Sequence, residues 1–290
     1  MRHLFAVCAV ALLTLAVWAG DGAGTARSPD QIVFVSTRQG GQEDIYLMND
    51  DGTQVTNLTN HAGKDFKPAW SSDGTKIAFH SDRDGNPEIY VMNADGSGQT
   101  RLTTSAGYDV VPDWSPDGTK IVFLSYRDRS SEIYVMNADG SGLTRLTNTR
   151  AGEGVPAWSP DGTKIAFMRD FKIYVMNADG SGQTRLTSTP GLDGGPAWSP
   201  DGRKIAFDSN RDGNFEIYVM NADGSGRTRL TDTPGLDGTP AWSPDGRKVA
   251  FDSDCDGNFE IYVMNADGTN QTRVTNDPST DQQPRWRPRR

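Results

Sequence analysis

The stretch Pro240-Ala241-Trp242-Ser243-Pro244-Asp245-Gly246 recurs, with small changes, around four earlier tryptophans, and a shortened copy, Pro284-Arg285-Trp286, stands close to the last residue. These six tryptophans lie at positions 70, 114, 158, 198, 242 and 286, so the steps between them are 44, 44, 40, 44 and 44 residues. A fixed period in the low forties over most of a chain is the signature of a repeat architecture. The period therefore predicts a ring of small, similar units.

One complete unit, residues 193–231, contains four short segments of strand character separated by three turns. Ser199-Pro200-Asp201-Gly202 predicts the first turn, because proline presets φ, aspartate bonds back to the main chain and glycine accepts a positive φ. The third segment, Ile217-Tyr218-Val219-Met220, is apolar on both faces, as expected for a sheet packed between two others. With 32 glycines and 16 prolines in the chain, the unit predicts an all-β fold of four-stranded blades.

The number of blades follows from a second count. The third-strand phrase begins six times, at Ile45, Ile89, Ile133, Ile173, Ile217 and Ile261. The chain opens in the second strand of a unit, residues 31–35, and closes with a first strand, residues 283–286. We therefore predict a six-bladed β-propeller over residues 31–290, closed by a C-terminal strand that completes the first blade. The fourth unit is four residues short between Phe167 and Ile173, which predicts a tight loop there.

The amino terminus differs from the repeats. Met1-Arg2-His3 is followed by an apolar run up to Val17 and by the small residue Ala19, which is typical of a cleaved export signal. We predict a signal peptide over residues 1–19, a short linker over 20–30 and a periplasmic or secreted protein. The run is shorter than the roughly 20 residues that a membrane span needs, so no span is expected after cleavage. An uncleaved amino-terminal anchor is the alternative.

Charge and cysteine content limit the partners. The formal net charge of −9 disfavours nucleic acid and anionic lipid and favours cationic partners or metal ions. Cys8 would leave with the signal, and Cys255 alone cannot form an internal disulfide. We expect a monomer that is stabilised by packing and ring closure.

Four motifs recur in order at one spacing: Pro-x-Trp-Ser-Pro-Asp-Gly, then Lys-Ile-Ala-Phe (204–207), Ile-Tyr-Val-Met-Asn-Ala-Asp-Gly (217–224) and Thr-Arg-Leu-Thr (228–231). With them, the chain resembles the TolB-type, WD-like β-propeller repeat family over about residues 31–290. The resemblance implies the propeller fold and an envelope or extracellular setting. The family includes the carboxy-terminal propeller of periplasmic TolB in the Tol-Pal system and propellers fused to prolyl oligopeptidase-type peptidases. About eleven residues separate the expected cleavage point from the first strand, so neither the α/β domain that precedes the TolB propeller nor a peptidase domain is expected.

An acid stands five residues before each repeat tryptophan, at Asp65, Asp109, Glu153, Asp193, Asp237 and Asp281. If the first strand is innermost, as the resemblance implies, these carboxylates form a circle near one mouth of the central channel. Neighbours about 10 Å apart in water would repel by only about 0.4 kcal/mol, so a metal is not required. We predict that this mouth binds a cationic peptide, a protein segment or a cation. The alternative is that each carboxylate bonds locally to backbone amides at the start of its strand.

A second acidic pattern occupies the turns between second and third strands. Alternating oxygen ligands around a glycine are the arrangement that Ca²⁺ favours, and the pattern is similar to the calcium loops of integrin α-subunit propellers. The candidate ligands are Asp252, Asp254, Asp256 and Glu260 in one unit and Asp208, Asn210, Asp212 and Glu216 in the other. Plain hairpin turns explain the same residues. We therefore expect no required cofactor and keep Ca²⁺ as a candidate.

Catalytic motifs are missing from the sequence after the signal. Its two histidines, His61 in a loop and His80 after a second strand, accompany no activated serine or cysteine and no phosphate-binding or zinc-like spacing. The repeat tryptophans are expected in the core. Phe66 and Tyr108, placed in loops before first strands, are better candidates for ligand contact, because the repeat requires no aromatic residue there.

These observations predict a non-catalytic, exported binding or scaffold module that takes a protein or cationic peptide at the channel mouth. No catalytic residue is assigned. One alternative is a hydrolase or lyase that uses the channel carboxylates as acid and base. Another is metal-dependent binding of envelope glycans.

Overall fold

A computed structural model describes residues 29–289, which fold into six four-stranded antiparallel sheets. The predicted all-β, six-bladed propeller is confirmed. The predicted signal peptide, residues 1–19, lies outside the described residues, as does most of the predicted linker. Within residues 29–289, no helix has the length and apolar character needed to cross a membrane.

Each blade contains three strands of ordinary length and a two-residue outer strand. Blade 1 contains β1 (Gln31–Ser36), β2 (Asp44–Asn49) and β3 (Thr56–Asn57). Blade 2 contains β4 (Asp65–Trp70), β5 (Lys76–Ser81), β6 (Glu88–Asn93) and β7 (Thr100–Arg101). Blade 3 contains β8 (Asp109–Trp114), β9 (Lys120–Asp128), β10 (Ser130–Asn137) and β11 (Thr144–Arg145).

The second half of the ring repeats this plan. Blade 4 contains β12 (Glu153–Trp158), β13 (Lys164–Arg169), β14 (Lys172–Asn177) and β15 (Thr184–Arg185). Blade 5 contains β16 (Asp193–Trp198), β17 (Lys204–Ser209), β18 (Glu216–Asn221) and β19 (Thr228–Arg229). Blade 6 contains β20 (Asp237–Trp242), β21 (Lys248–Ser253), β22 (Glu260–Asn265) and β23 (Thr272–Arg273). The last strand, β24 (Asp281–Trp286), belongs to blade 1.

Ring closure occurs where it was predicted. Strand β24 pairs antiparallel with β1, so that Trp286 lies opposite Ile32. The backbone N–H of Arg287 donates to the Gln31 carbonyl oxygen at 2.8 Å. Because this strand occupies the inner edge of blade 1, closure leaves that edge paired like the others.

The first strand of each blade is innermost, and the six inner strands contact one another in turn around the centre. Each carries a β-bulge at its third residue, which has a positive φ and precedes a proline; in β20 this residue is Thr239, with a φ of 46°. Proline has no N–H to donate, and the bulge leaves it outside the ladder. The bulge also reorients the third side chain, and in five of the inner strands this residue lines a cavity of the central channel.

The core lies between blades. Each blade places a phenylalanine of its second strand beside a tyrosine of its third strand; in blade 5, the ring centroids of Phe207 and Tyr218 are 5.8 Å apart. The prediction that the repeat tryptophans belong to the core is confirmed for Trp70, Trp114 and Trp286, which are at most 7% exposed. The other three are partly exposed and line the lower part of the channel.

The short fourth unit closes as a tight hairpin, as predicted. Asp170 and Phe171 alone separate β13 from β14, with φ angles of 47° and 55°. Positive φ at both central residues is the geometry of a type I′ turn, which matches the twist of the flanking strands. The turn leaves the ring of Phe171 54% exposed.

Two sets of loops share one face of the ring, which we call the upper face. It consists of the loops that lead into first strands and the loops that join second to third strands. Their contact is close: the Leu192 N–H donates to Asn210 Oδ1 at 2.6 Å. In blade 6, a Cβ on Gly235 would lie 2.5 Å from the backbone nitrogen of Cys255, so only glycine fits there.

Candidate functional site

The six acids predicted at the channel mouth occupy the first position of the inner strands, yet their side chains are not open to the channel. All six are at most 3% exposed: Asp65, Asp109, Glu153, Asp193, Asp237 and Asp281. Each lies beside the end of the second strand of its own blade. Asp193, for example, accepts the hydroxyl of Ser209 at 2.6 Å.

Five of the six acids hold an arginine that lies at the end of the second strand or two residues after it. The pairs are Arg38–Asp281 at 2.5 Å, Arg83–Asp65 at 2.9 Å, Arg127–Asp109 at 2.7 Å, Arg169–Glu153 at 2.9 Å and Arg211–Asp193 at 2.9 Å. The guanidinium also lies on the blade's aromatic rings, and that of Arg211 is 4.7 Å from the Tyr218 centroid. The acids thus act locally, through side-chain partners instead of the backbone amides that the alternative named. Direct contact with a ligand stays a prediction.

The sixth acid, Asp237, pairs with no arginine within residues 29–289. Cys255 occupies the position that corresponds to Arg211, and the Asp237 carboxylate accepts the Thr233 hydroxyl at 3.2 Å. Burial, and then the nearby Glu216 carboxylate, raise the pKa of Asp237 to about 7. Blade 6 therefore differs in charge from the other blades at this point.

Stability should depend on pH through Asp237. Its folded-state pKa of about 7 lies above its ordinary value of 3.8, so the native protein binds more protons than the unfolded chain between about pH 4 and pH 7. Stability from this group should fall as the pH rises through that window, by up to about 1.4 kcal/mol per pH unit. Urea denaturation at about pH 5 and about pH 8 gives the free energies of unfolding of the wild type and Asp237→Asn. Relative to the wild type, the variant should be more stable at the higher pH than at the lower. Parallel pH profiles would contradict this assignment.

The channel is lined by residues that the sequence analysis missed. The third residues of the inner strands vary although their neighbours hardly do: Lys67, Val111, Val155, Gly195, Thr239 and Gln283. Their variation within a nearly uniform repeat is the sequence feature that could have identified them as channel residues. The channel lining also includes fifth residues of second strands, namely His80, Asp208 and Asp252. Fifth residues of inner strands complete it, namely Asp113 and Arg285.

The charges in the channel are mixed in sign and poorly hydrated. Burial, and then the positive charge of Arg285, lower the pKa of Lys67 to about 8. Burial raises the pKa of Asp208 to about 6, against the attraction of Lys67. His80 lies within β5, not after it as predicted, and burial followed by the charge of Lys67 lowers its pKa to about 3. The imidazole is therefore neutral at physiological pH.

An upper cavity of ≈ 260 Å³ opens beside blades 5 and 6. Its wall combines the acids Asp208, Asp237 and Asp252 with the apolar side chains Phe215 and Leu236. Asp252 accepts the backbone N–H of Gln283 at 2.8 Å. Carboxylates beside aromatic surface suit a cationic group carried on an apolar stem.

The two candidate calcium loops send their oxygens to different partners. Asp254 accepts the Leu236 N–H at 2.6 Å, Asp256 accepts the Tyr262 hydroxyl at 2.5 Å, and Glu260 accepts the Thr275 hydroxyl at 2.5 Å. The other loop diverges in the same way through Asp208, Asn210, Asp212 and Glu216. Across residues 29–289, no three His, Cys, Asp or Glu side chains converge to hold a metal. Calcium binding stays a prediction that this geometry does not favour.

The two candidate aromatic contacts lie in different settings. Phe66 is the second residue of β4, not a loop residue as predicted, and its ring stacks on His80 with centroids 5.6 Å apart. Tyr108 is in the expected loop, 54% exposed, with its ring edge-on to Tyr126 at 6.2 Å. Tyr108 thus presents an open aromatic surface, whereas Phe66 belongs to the channel wall.

Exposed apolar side chains concentrate on the upper face. Of the seven large hydrophobic residues that are exposed within residues 29–289, five lie on it: Tyr108, Phe171, Leu192 and Leu236 in its loops and Tyr126 near the end of β9. The other two, Val55 and Leu143, precede outer strands at the opposite end of their blades. The upper face therefore combines apolar contact points with the acid-lined upper cavity.

Comparison with known proteins gives one family. The model of the TolB beta propeller domain matches residues 14–125, 105–188, 169–234 and 225–290. A stretch of 45 residues is 49% identical to the Protein TolB homolog of Chlorobium luteolum; it covers 16% of this chain and only 10% of that protein. The chain therefore matches about a tenth of the length of this curated relative.

Solved structures agree on the fold. TolB from Acinetobacter baumannii superposes with a TM-score of 0.80 at 24% identity, over 90% of this chain and 67% of that chain. A putative TolB from Agrobacterium tumefaciens superposes with a TM-score of 0.71 at 26% identity, over 86% and 90%. An oligogalacturonate lyase in complex with manganese has a TM-score of 0.62 at 20% identity, which shows a shared fold alone.

Proposed function

We propose, from the premise that this chain belongs to the TolB β-propeller domain family, that it is a non-catalytic, exported binding module that holds a protein or peptide partner on its upper face. The observation that carries the proposal is that, of the seven large apolar side chains exposed within residues 29–289, four lie in the loops of that face and a fifth, Tyr126, lies near the end of β9 beside them. Exposed apolar side chains grouped around a cavity mark an interaction site more often than scattered ones do. The proposed function needs no cofactor.

The chemistry of the upper cavity supports a cationic contact within that partner. Asp208 and Asp252 face the cavity, whereas Lys67 lies deeper in the channel and offsets part of their charge. The buried acids at the starts of the inner strands support this surface indirectly, because their arginine pairs anchor the loops of the upper face. Export is proposed from residues 1–19.

Removing apolar surface from the upper face should abolish partner binding. We expect Phe171→Ser with Leu236→Ser to lower recovery of the bound protein at least tenfold, because both side chains are exposed and contribute contact area without supporting the core. The measurement is quantitative mass spectrometry after affinity capture from the native envelope.

The matched control is Val55→Ser with Leu143→Ser, which removes exposed apolar residues before outer strands. These variants should capture the same protein as the wild type. Equal recovery by both double variants would reject the upper face as the binding surface, and loss with both would indicate a different surface or a general fold defect visible by circular dichroism.

A hydrolase or lyase is the second candidate, and one observation favours it. Burial raises the pKa values of Asp113 and Asp208 to about 6 and lowers that of Lys67 to about 8. Groups that titrate near neutral pH in a cavity are suited to acid–base catalysis. A screen of hydrolase and lyase substrates, repeated with Asp113→Asn and Asp208→Asn, decides: activity that both variants lose would establish an enzyme.

A further inference from the structure

Blade 6 departs from the other blades at one position of an otherwise repeated site. In four blades, a serine of the second strand is followed two residues later by arginine, as in Ser209 and Arg211. Blade 4, with its shorter loop, supplies Arg169 for the same purpose. In blade 6, Ser253 is followed by Cys255. The arginine position is thus filled in five blades and replaced in one.

Every other part of the arginine site is kept in blade 6. Asp237 is buried, and the Phe251 and Tyr262 rings lie 5.6 Å apart at 28°, against 5.8 Å and 29° for Phe207 and Tyr218 in blade 5. In blade 5, the Arg211 guanidinium carbon lies 5.2 Å and 4.7 Å from those two ring centroids. Blade 6 has the same acid and the same ring pair, a combination that binds a guanidinium five times in this ring.

Cysteine does not replace the arginine chemically. The Cys255 sulfur lies 3.3 Å from the Tyr262 hydroxyl oxygen, at the polar end of that ring. A thiol is neutral in its protonated form and is a weak donor, so it neither compensates the Asp237 carboxylate nor makes the paired hydrogen bonds of a guanidinium.

Blade 6 is the blade in which, among residues 29–289, the acid of the inner strand has no arginine partner. At the junction between blades 2 and 3, Glu88 pairs with Arg101 at 3.0 Å and Asp109 pairs with Arg127 at 2.7 Å. At the junction between blades 5 and 6, Glu216 pairs with Arg229 at 2.7 Å, but no arginine of the described residues pairs with Asp237. Of these two buried carboxylates, only that of Glu216 has a guanidinium partner there.

The site lies beside the upper cavity. Asp237 lies in the wall of the upper cavity, together with Asp208 and Asp252. The arginines that fill the other five sites keep 8% to 23% of their side chains exposed. The repeated site therefore lies just beneath the surface, and in blade 6 it is covered by Cys255, which is itself only partly buried.

We propose that blade 6 binds the guanidinium group of an arginine side chain supplied by a protein or peptide partner, in the place that Arg211 fills in blade 5. The inference deepens the proposed function and rests on it, since Cys255 lies on the upper face. It names the partner's chemistry: an exposed arginine, placed so that apolar neighbours contact Leu236.

The test uses the full chain, two acetylated and amidated tripeptides, Gly-Arg-Gly and Gly-citrulline-Gly, and titration calorimetry at about pH 8. Citrulline keeps the shape of arginine and lacks its charge. We expect the arginine peptide to bind wild type and Cys255→Ser equally within about twofold, because serine leaves the site open. Cys255→Arg should weaken binding at least tenfold, because the introduced guanidinium fills the site from within. The citrulline peptide should bind at least tenfold more weakly than the arginine peptide.

A second variant makes the converse prediction. Arg211→Cys should open an equivalent site in blade 5 and raise the stoichiometry from one peptide to two. Equal affinity of wild type and Cys255→Arg for the arginine peptide, or equal binding of the citrulline peptide, would overturn the proposal whether or not Arg211→Cys folds.

Two further arms separate related outcomes. If methylguanidinium binds as tightly as the arginine peptide, blade 6 does contain a guanidinium site, but its ligand is a small free cation and not the arginine of a protein partner. Failure of the arginine proposal can be distinguished from failure of the proposed function. If Cys255→Arg still captures the native partner fully, the arginine contact is wrong, but the proposal that the partner binds the upper face is unaffected. If Phe171→Ser with Leu236→Ser still captures it, the face is wrong.

Discussion

Ending the chain after Thr280, and so deleting β24, should abolish the cooperative unfolding transition of the ring. Strand β24 supplies the inner strand of blade 1, and its Trp286 packs in one cluster with Ile32 and Phe34. Loss of a buried tryptophan alone costs about 3–5 kcal/mol, and the deletion also leaves the β1 edge unpaired. Because whole domains are stable by only about 5–15 kcal/mol, the truncated chain should populate no native ring. Circular dichroism in increasing urea measures this.

The control chain ends after Arg287. It keeps β24 and the hydrogen bond from the Arg287 N–H to Gln31, so its unfolding free energy should lie within about 1 kcal/mol of the wild type. A normal, cooperative transition in the chain that ends at Thr280 would show that closure by β24 does not hold the ring together.

Arg211→Met should destabilise the protein by about 3–5 kcal/mol, because it leaves the buried carboxylate of Asp193 without its guanidinium. The variant also loses the packing of Arg211 against Phe207 and Tyr218, although methionine retains part of that contact. Urea denaturation at neutral pH gives the free energy of unfolding.

Arg203→Met is the matched control. Arg203 lies in the exposed turn between β16 and β17 of the same blade, so its replacement should change stability by no more than about 0.5 kcal/mol. If the two variants lost similar stability, the buried pair would contribute no more than an exposed arginine does.

The sequence predicted the fold because the repeat places the same turn residues and the same tryptophan at one spacing. Pro244, Asp245 and Gly246 fix a turn by local chemistry alone. The half-blades at either end of the repeat then required the last strand to pair with the first, and β24 does pair with β1.

The contacts within the candidate site were harder to predict, because they depend on the register in which neighbouring strands pair. Arg211 follows Asp193 by 18 residues, and the bulge at Gly195 shifts the pairing of β16 with β17 between them. A sequence pattern shows six acids but not that five of them are already bound. The corresponding bulges in blades 2 and 6 carry Lys67 and Thr239, which line the channel, and a sequence pattern does not show where such bulges lie.

The calcium pattern likewise depends on how the loop is folded. Alternating oxygens along Asp252, Asp254 and Asp256 would surround an ion only if the loop curled around it. In the hairpin they point instead to the channel, to the neighbouring loop and to Tyr262.

The pairing of β24 with β1 also sets the order in which the molecule can be completed. Ile32 is synthesised early, yet its partner Trp286 emerges about 250 residues later. Blades 2 to 6 each consist of consecutive strands and can form as the chain grows, but blade 1 must wait for the last strand. Until then β1 keeps an open hydrogen-bonding edge beside the apolar side chains of Phe34 and Tyr46. The nascent propeller is therefore most vulnerable to mispairing at β1, for as long as blades 2 to 6 are being synthesised.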